Sequence, residues 1–290
     1  MGRVSTLKQT SRIKIIYILG TSFSGSTLVG YLIGASRQVF NAGELMLFSK
    51  KKNIGNIPCF CGETTGNCDI WGGMALEKAI LYSKPDLTTK IKLLGRLLFG
   101  LPPCPLFDLE KWEDEDFCRQ LLENVQNDEG GSPLILDTSK SLFRLMFLVC
   151  ADAFDIKIVY IKRDLLGNIS SFVKNGDSVF RGLVNYKLNH FFMPLYLRGT
   201  GLDHYSLSYK ALCRSPHREL AALGRFLRLN LAYDEVKEKI RTRTFHVFTG
   251  SNTRTQFKDF KGIRYDKSWR ERLSRLQILC LQCIATKSEK

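Results

Sequence analysis

Residues 13–27 read IKIIYILGTSFSGST. The first seven form a short, β-branched apolar run that stops at Gly20, the pattern of a buried strand. From 20 to 27, GTSFSGST keeps the spacing G-x-x-x-x-G-K-S/T of a loop that cradles phosphate. Gly20, Gly25 and Thr27 fit that spacing, but Ser26 stands where the lysine belongs. From Gly25 onward STLVGYLIGA offers the apolar face of a helix. Strand, glycine turn, helix is the context that separates a phosphate loop from an ordinary glycine turn.

The same strand type recurs at 38–42 (QVFNA), 133–137 (PLILD), 156–162 (IKIVYIK) and 204–209 (HYSLSY). Helical patterns fall between them, around 86–99, 113–126, 139–151, 165–174, 215–227 and 268–284. Alternating strands and helices predict an α/β chain: a P-loop-type three-layer fold, its central parallel sheet covered by helices on both faces. Stretches 53–73 and 100–112 carry glycines, prolines and cysteines and read as loops. No linker divides the 290 residues, so one domain over 1–290 is expected, with a cysteine-containing insertion at about 53–73.

Lysines and arginines number 43 against 28 acidic residues, a net charge of +15 that attracts anions. They are spread along the chain without the long basic block of a nucleic-acid tail, so no nucleic-acid partner is expected. The apolar runs IIYIL and LVGYLIGA flank a polar loop, and neither nears the ~20 residues that span a bilayer, so no membrane span is expected. Nine cysteines, an odd number in a chain this long, do not look like a secreted disulfide framework. Mostly reduced thiols in a cytoplasm are expected, ahead of a Golgi or membrane-anchored setting.

In open parallel sheets, ligands bind beyond the carboxyl ends of the strands. GTSFSGST follows the first strand, Gly43–Glu44 the second and Asp137-Thr138-Ser139-Lys140 the third. Arg163–Asp164 follows the fourth, with Ser170 and Ser171 on the helix behind. A glycine loop, a carboxylate, a lysine and an arginine thus converge on one edge. The amides of Gly25, Ser26 and Thr27 at a helix start suit a phosphate. Triphosphate enzymes place the loop lysine on the outer phosphates beside Mg²⁺; a loop with Ser26 there suits less charge at the 5′ end. Arg163 and Ser171, about two helical turns apart, make a second anion site. Two anion sites suggest a nucleotide phosphorylated at two places.

That combination resembles the sulfotransferase superfamily that uses 3′-phosphoadenosine 5′-phosphosulfate (PAPS). The first loop resembles its 5′-phosphosulfate loop, G-x-x-R-S-G-S/T-T, and Arg163 to Ser171 resembles its 3′-phosphate motif. LSYKALCRSPHRELAALGRFLRL (207–229) is similar to its YEDL…P…L…FL segment, and ILDTSK (135–140) to the VDSSK element of a branch with many bacterial enzymes. PCFCGETTGNCDIW (58–71) and HVFTGSNTR…YDKSW (246–269) also resemble that branch, so the likeness spans most of the chain. It implies PAPS as cofactor, 3′-phosphoadenosine 5′-phosphate (PAP) as product, and no metal. The acceptor would be a hydroxyl, less readily an amine, on a glycan, a lipid, a peptide tyrosine or a small metabolite. By the same resemblance Glu44 is the base and Lys140 contacts the transferring group. Ser22, Ser24, Gly25, Ser26 and Thr27 hold the 5′-phosphosulfate; Arg163 and Ser171 hold the 3′-phosphate, with Arg254 on that side.

Two residues depart from the pattern: Phe23 replaces a basic residue, leaving Lys140 to neutralise the sulfate, and Leu165 replaces a proline. His190, His204 and His246 are rival bases, with His246 the strongest by its sequence setting. Asp137 closes PLILD like a Walker B strand, or orders the turn carrying Lys140. Cys59, Cys61 and Cys68 invite a zinc reading with Cys104 or Cys118 as fourth ligand, but the spacing fits no usual knuckle; a disulfide or free thiols are expected instead. The alternatives are a P-loop NTPase or kinase with a degraded loop, and a non-catalytic nucleotide- or glycan-binding protein.

Overall fold

The computed structural model describes residues 11–50, 53–74, 76, 79–129, 133–248 and 260–285. Five strands, β1 (Ile13–Gly20), β2 (Val39–Gly43), β3 (Leu134–Lys140), β4 (Phe154–Lys162) and β5 (His204–Ser208), form one sheet in the order β2-β3-β1-β4-β5. Every pairing is parallel. All five strands lie on the runs expected from the sequence.

The helices are α1 (Ser26–Gly34), α2 (Leu87–Leu98), α3 (Asp114–Glu129), α4 (Leu142–Cys150), α5 (Leu165–Lys174) and α6 (Val179–Thr200). They continue with α7 (Tyr209–Arg214), α8 (Pro216–Leu227), α9 (Tyr233–Thr242), α10 (Trp269–Arg272) and α11 (Arg275–Ile284). β1 shows why two helical layers are needed. Its Ile15, Tyr17 and Leu19 enter one core, while Ile16 and Ile18 enter another on the opposite face. This is the period of two in a strand buried on both sides. Leu32 of α1, Leu223 of α8 and Ile240 of α9 cover the second face. Leu121 of α3, Leu145 of α4, Met193 of α6 and Trp71 of the insertion cover the first. The result is the three-layer α/β/α fold with a central parallel sheet.

The structure departs from the sequence reading in its helices. α6, α7 and α9 were not expected. In α6, Gly182, Tyr186, Met193 and Leu197 point inward while Phe180, Val184, Leu188 and Phe191 are exposed. Apolar residues thus lie all round the helix, and no single stripe marks it. Pro194 sits inside it, where proline ordinarily signals a break. In α9 only Val236 and Ile240 are buried, too thin a stripe to stand out. The single helix expected over 268–284 is two, because Ser274 starts α11 with a capping box to Gln277.

Cys104 and Cys150 form a disulfide joining the loop after α2 to the end of α4; the other seven cysteines are free, in keeping with mostly reduced thiols. Among the described residues no helix is long and apolar enough to cross a membrane.

Candidate active site

From β1 the chain turns through α1 toward β2, and from β4 it turns through α5 and α6 toward β5 at the other edge. Neighbouring strands whose connections diverge open a crevice at their carboxyl ends. A cleft of about 1290 Å³ lies there, lined by Ser22, Gly25, Ser26, Thr27, Glu44, Lys140, Arg163 and Ser171. Ser24 is fully buried and lies outside the cleft lining. Arg254 lies outside the described residues.

The loop is held in a shape that few side chains tolerate. Gly25 has φ +95°, and a Cβ there would stand 2.5 Å from the Tyr209 ring. Gly25→Ala is therefore expected to displace the loop while the sheet persists and, on the nucleotide-binding reading proposed below, to abolish PAP binding; calorimetric titration with PAP checks this, and parental affinity would refute it. Asn168 of α5 pins the loop from behind, donating to Thr21 Oγ1 at 3.0 Å and to the Ser22 carbonyl at 2.7 Å. No side chain caps the first turn of α1, leaving its amides free of a competing oxygen.

Arg163 joins this loop to Ser171 of α5. Its Nη1 donates to the Phe23 carbonyl at 2.8 Å and to Ser171 Oγ at 3.2 Å. The guanidinium lies over the Tyr209 ring, 5.0 Å from the centroid. Arg163 Nε is buried without a hydrogen-bond partner. A buried donor without a partner is uncommon, and an arginine is the side chain best shaped to bind an anion. Phe23, the departure from a basic residue, has φ +61° and packs its ring edge-on against Phe172, with centroids 4.9 Å apart. It therefore couples the loop to α5 through its carbonyl and ring and supplies no charge. Cations enter the cleft instead from Lys90, Lys140, Arg163 and Lys174, against the carboxylates of Glu44 and Asp266. The surplus is positive. Asp164 caps α5 by accepting from the Gly167 amide at 2.8 Å, and Tyr265 donates to its other oxygen at 2.8 Å.

Glu44 and Lys140 meet at 2.5 Å, both side chains less than one-fifth exposed. Each is placed by its own turn. Asn41 Oδ1 accepts from the Gly43 amide at 3.1 Å, fixing the exit from β2. Asp137 accepts from the Ser139 amide at 2.9 Å and from its hydroxyl, and Lys140 takes φ +65°, a conformation non-glycine residues rarely adopt. Ser139 Oγ also accepts from the Met46 amide at 3.0 Å, tying the two turns together. Asp137 is held by Arg144 Nε at 2.7 Å, and Arg144 also pairs with Asp114 at 2.8 Å. Burial raises the Asp114 pKa above the usual carboxylate range, with Arg144 acting against it.

None of the rival histidines lines this cleft. His190 stacks on Tyr186 with Nδ1 3.0 Å from that residue's carbonyl, and His204 lies against the Leu202 carbonyl at 2.9 Å. His246 points elsewhere, its Nδ1 3.2 Å from Cys68 Sγ. Cys59, Cys61, Cys68 and His246 bring their four ligand atoms within 4.8 Å of one another. This corrects the expectation of no metal: three cysteines and a histidine form a possible metal-binding cluster. Sequence spacing missed it because the fourth ligand is 178 residues from Cys68. Cys104 is in the disulfide and Cys118 is buried in α3, so neither is the fourth partner. The Cys59–Cys68 hydrogen bond pulls the Cys68 thiol down, helped by His246 and opposed by burial, and pushes the Cys59 thiol up.

Sequence reasoning also missed Tyr209, Asn168, Lys90 and Lys174 as site residues. Tyr209 stood within a recognised stretch, but only the fold shows that its ring underlies both Gly25 and Arg163.

No protein-family model matches the chain, and no curated protein matches it. Among solved structures, it is similar to the sulfotransferase domain of the olefin synthase from Synechococcus PCC 7002, with 17% identity, TM-score 0.52 and 97% of each chain covered. It is also similar to the sulfotransferase domain of the curacin biosynthetic pathway, with 15% identity, TM-score 0.52, and 95% of this chain and 98% of that one covered. Across nearly its whole length, the chain has the fold of a sulfotransferase domain.

Proposed function

We propose that this chain transfers a sulfuryl group from PAPS to an acceptor hydroxyl by in-line displacement. The observation that carries the reading is Arg163. A half-buried guanidinium whose Nε has no hydrogen-bond partner, bonded to both the glycine loop and Ser171, supports a second anion site against the first. A nucleotide with phosphate groups at 5′ and 3′ fills both; a triphosphate fills one.

In this reading the amides of Gly25, Ser26 and Thr27 hold the 5′-phosphosulfate, and Arg163 with Ser171 holds the 3′-phosphate. Glu44 takes the acceptor proton as the acceptor oxygen bonds to sulfur. The bond from sulfur to the bridging oxygen breaks, and PAP leaves with that electron pair. Lys140 stabilises charge on the leaving oxygen. Its pairing with Glu44 in the free chain keeps both side chains at the point of transfer. Lys90, Lys140 and Lys174 together supply the charge that Phe23 does not. The cleft lining also includes an apolar set, Leu87, Ile91 and Leu94 of α2 with Leu188 and Phe192 of α6, beside Lys90, Asn185 and Asn189. Leu87 and Ile91 are 72% and 63% exposed, so the acceptor class this wall favours has an apolar body beside its hydroxyl.

Calorimetric titration with PAP beside ATP·Mg²⁺ tests the nucleotide. PAP is expected to bind preferentially, and Arg163→Ala to weaken it about 10–100-fold, the scale of one or two hydrogen bonds to a charged group. Preferential ATP·Mg²⁺ binding and turnover would mean an NTPase. PAP binding without transfer to any acceptor hydroxyl would mean a binding protein.

A further inference from the structure

We propose that Cys59, Cys61, Cys68 and His246 form a structural Zn²⁺ site that staples the 53–74 insertion to the strand edge beside Glu44. The inference does not depend on the reaction assigned to the cleft.

The donor set comes first. Three thiols and an imidazole are soft and borderline ligands of the kind that select zinc in a tetrahedral field. Zn–S bonds of about 2.3 Å imply ligand separations near 3.8 Å. The four ligand atoms all lie within 4.8 Å of one another, so closing on an ion asks for shifts of about an ångström. Cys59 and Cys68 are buried and Cys61 is half-buried. Four protein ligands leave no open position, which marks a structural site.

The local backbone is shaped to present these ligands. Pro58 pairs with Thr64 in an antiparallel bridge, and the Cys59 amide donates to the Glu63 carbonyl at 2.8 Å. Gly62 turns the chain with φ +106°, where a side chain would be strained. The described part of the insertion has no strand and no helix longer than three residues. An irregular segment of this length inside a compact fold is uncommon, and beyond the packing of Ile54, Ile70 and Trp71 into the core a metal would hold it at its cysteine end.

The fourth ligand shows what the ion would join. His246 lies two residues before Phe248, which bridges to Gly43 at the end of β2. Trp71 Nε1 donates to the His246 carbonyl at 2.9 Å, tying the backbone of that residue to the insertion. Zinc would thus fix the insertion, segment 245–248 and the Gly43 exit as one unit, and Glu44 is the next residue. On binding, the three thiols release their protons to solvent and become thiolates.

The full chain, purified under reducing conditions without chelator, is analysed by mass spectrometry for bound metal. About one zinc per chain is expected, as a four-ligand site holds one ion. Cys61→Ser and Cys68→Ser should lose it. His246→Cys should keep it and His246→Ala should not, a contrast that a purely packing role would not produce. Cys280→Ser, on the exposed face of α11, should leave the content unchanged. Cobalt exchange should give the intense visible bands of tetrahedral thiolate coordination. A strong chelator should lower the melting temperature of the parent, with recovery on adding Zn²⁺. Where a variant fails to fold, the parent's metal content, cobalt spectrum and chelator response decide alone. A reduced, folded parent that carries no zinc and takes none up overturns the proposal, as does a Cys59–Cys68 disulfide found in rapidly alkylated protein.

Discussion

Glu44→Gln is expected to lower sulfuryl transfer by about 10²–10⁴-fold, the range supplied by a positioned general base. PAP binding should be unchanged or tighter. The amide keeps an oxygen for Lys140 to donate to, so the turn after β2 retains its shape. It removes the negative charge that Lys140 faces at 2.5 Å in the free chain, and the lysine is then fully available to an anionic ligand. Opposite effects on turnover and affinity separate a lost base from a damaged site. Single-turnover transfer from labelled PAPS, measured beside calorimetric PAP binding, reads both. Parental turnover in Glu44→Gln would remove Glu44 from proton transfer, and a parallel loss of PAP binding would make it a structural group.

The sheet was legible in the sequence because buried parallel strands are written locally. Within them IIYIL (15–19) and IVYI (158–161) run without a polar residue, and their alternating residues serve two cores. The convergence of Glu44, Lys140, Arg163 and the glycine loop was legible for the same reason: each immediately follows a strand, and parallel strands bring their carboxyl ends to one edge. What escaped depends on long-range pairing. Tyr209 acquires its place only when β5 lies beside β4 and carries the ring under Gly25. The cysteine cluster needs His246, which arrives through the bridge of Phe248 to Gly43. α6 has two apolar faces, so the single-stripe pattern that reveals amphipathic helices was absent.

Arg144→Leu is expected to destabilise the fold by about 3–5 kcal/mol at neutral pH, the scale of removing one partner from a buried ionic cluster. Arg144 is 1% exposed and lies between Asp137 and Asp114, with a further donation to the Tyr82 carbonyl. Leucine fills some of the volume but leaves two buried carboxyls without a cation. The sign of the pH dependence follows. Burial already raises the Asp114 pKa against the pull of Arg144, and removing the arginine raises it further. A carboxyl whose folded pKa exceeds its unfolded value favours folding at low pH and loses that contribution as pH rises through the folded pKa. The deficit of Arg144→Leu should therefore shrink as pH falls from neutral, until general acid denaturation intervenes. Adding Asp114→Asn should recover part of the loss at pH 7, because one uncompensated charge is gone. Urea unfolding of the parent and both variants at two pH values checks this, and a loss below about 1 kcal/mol at pH 7 would show that water or repacking compensates the carboxyls. The consequence reaches the cleft: Asp137 orders Ser139, and Ser139 fixes both the Lys140 turn and the Met46 amide next to Glu44. Folded Arg144→Leu should therefore lose transfer activity as well as stability, although Arg144 lies outside the cleft lining.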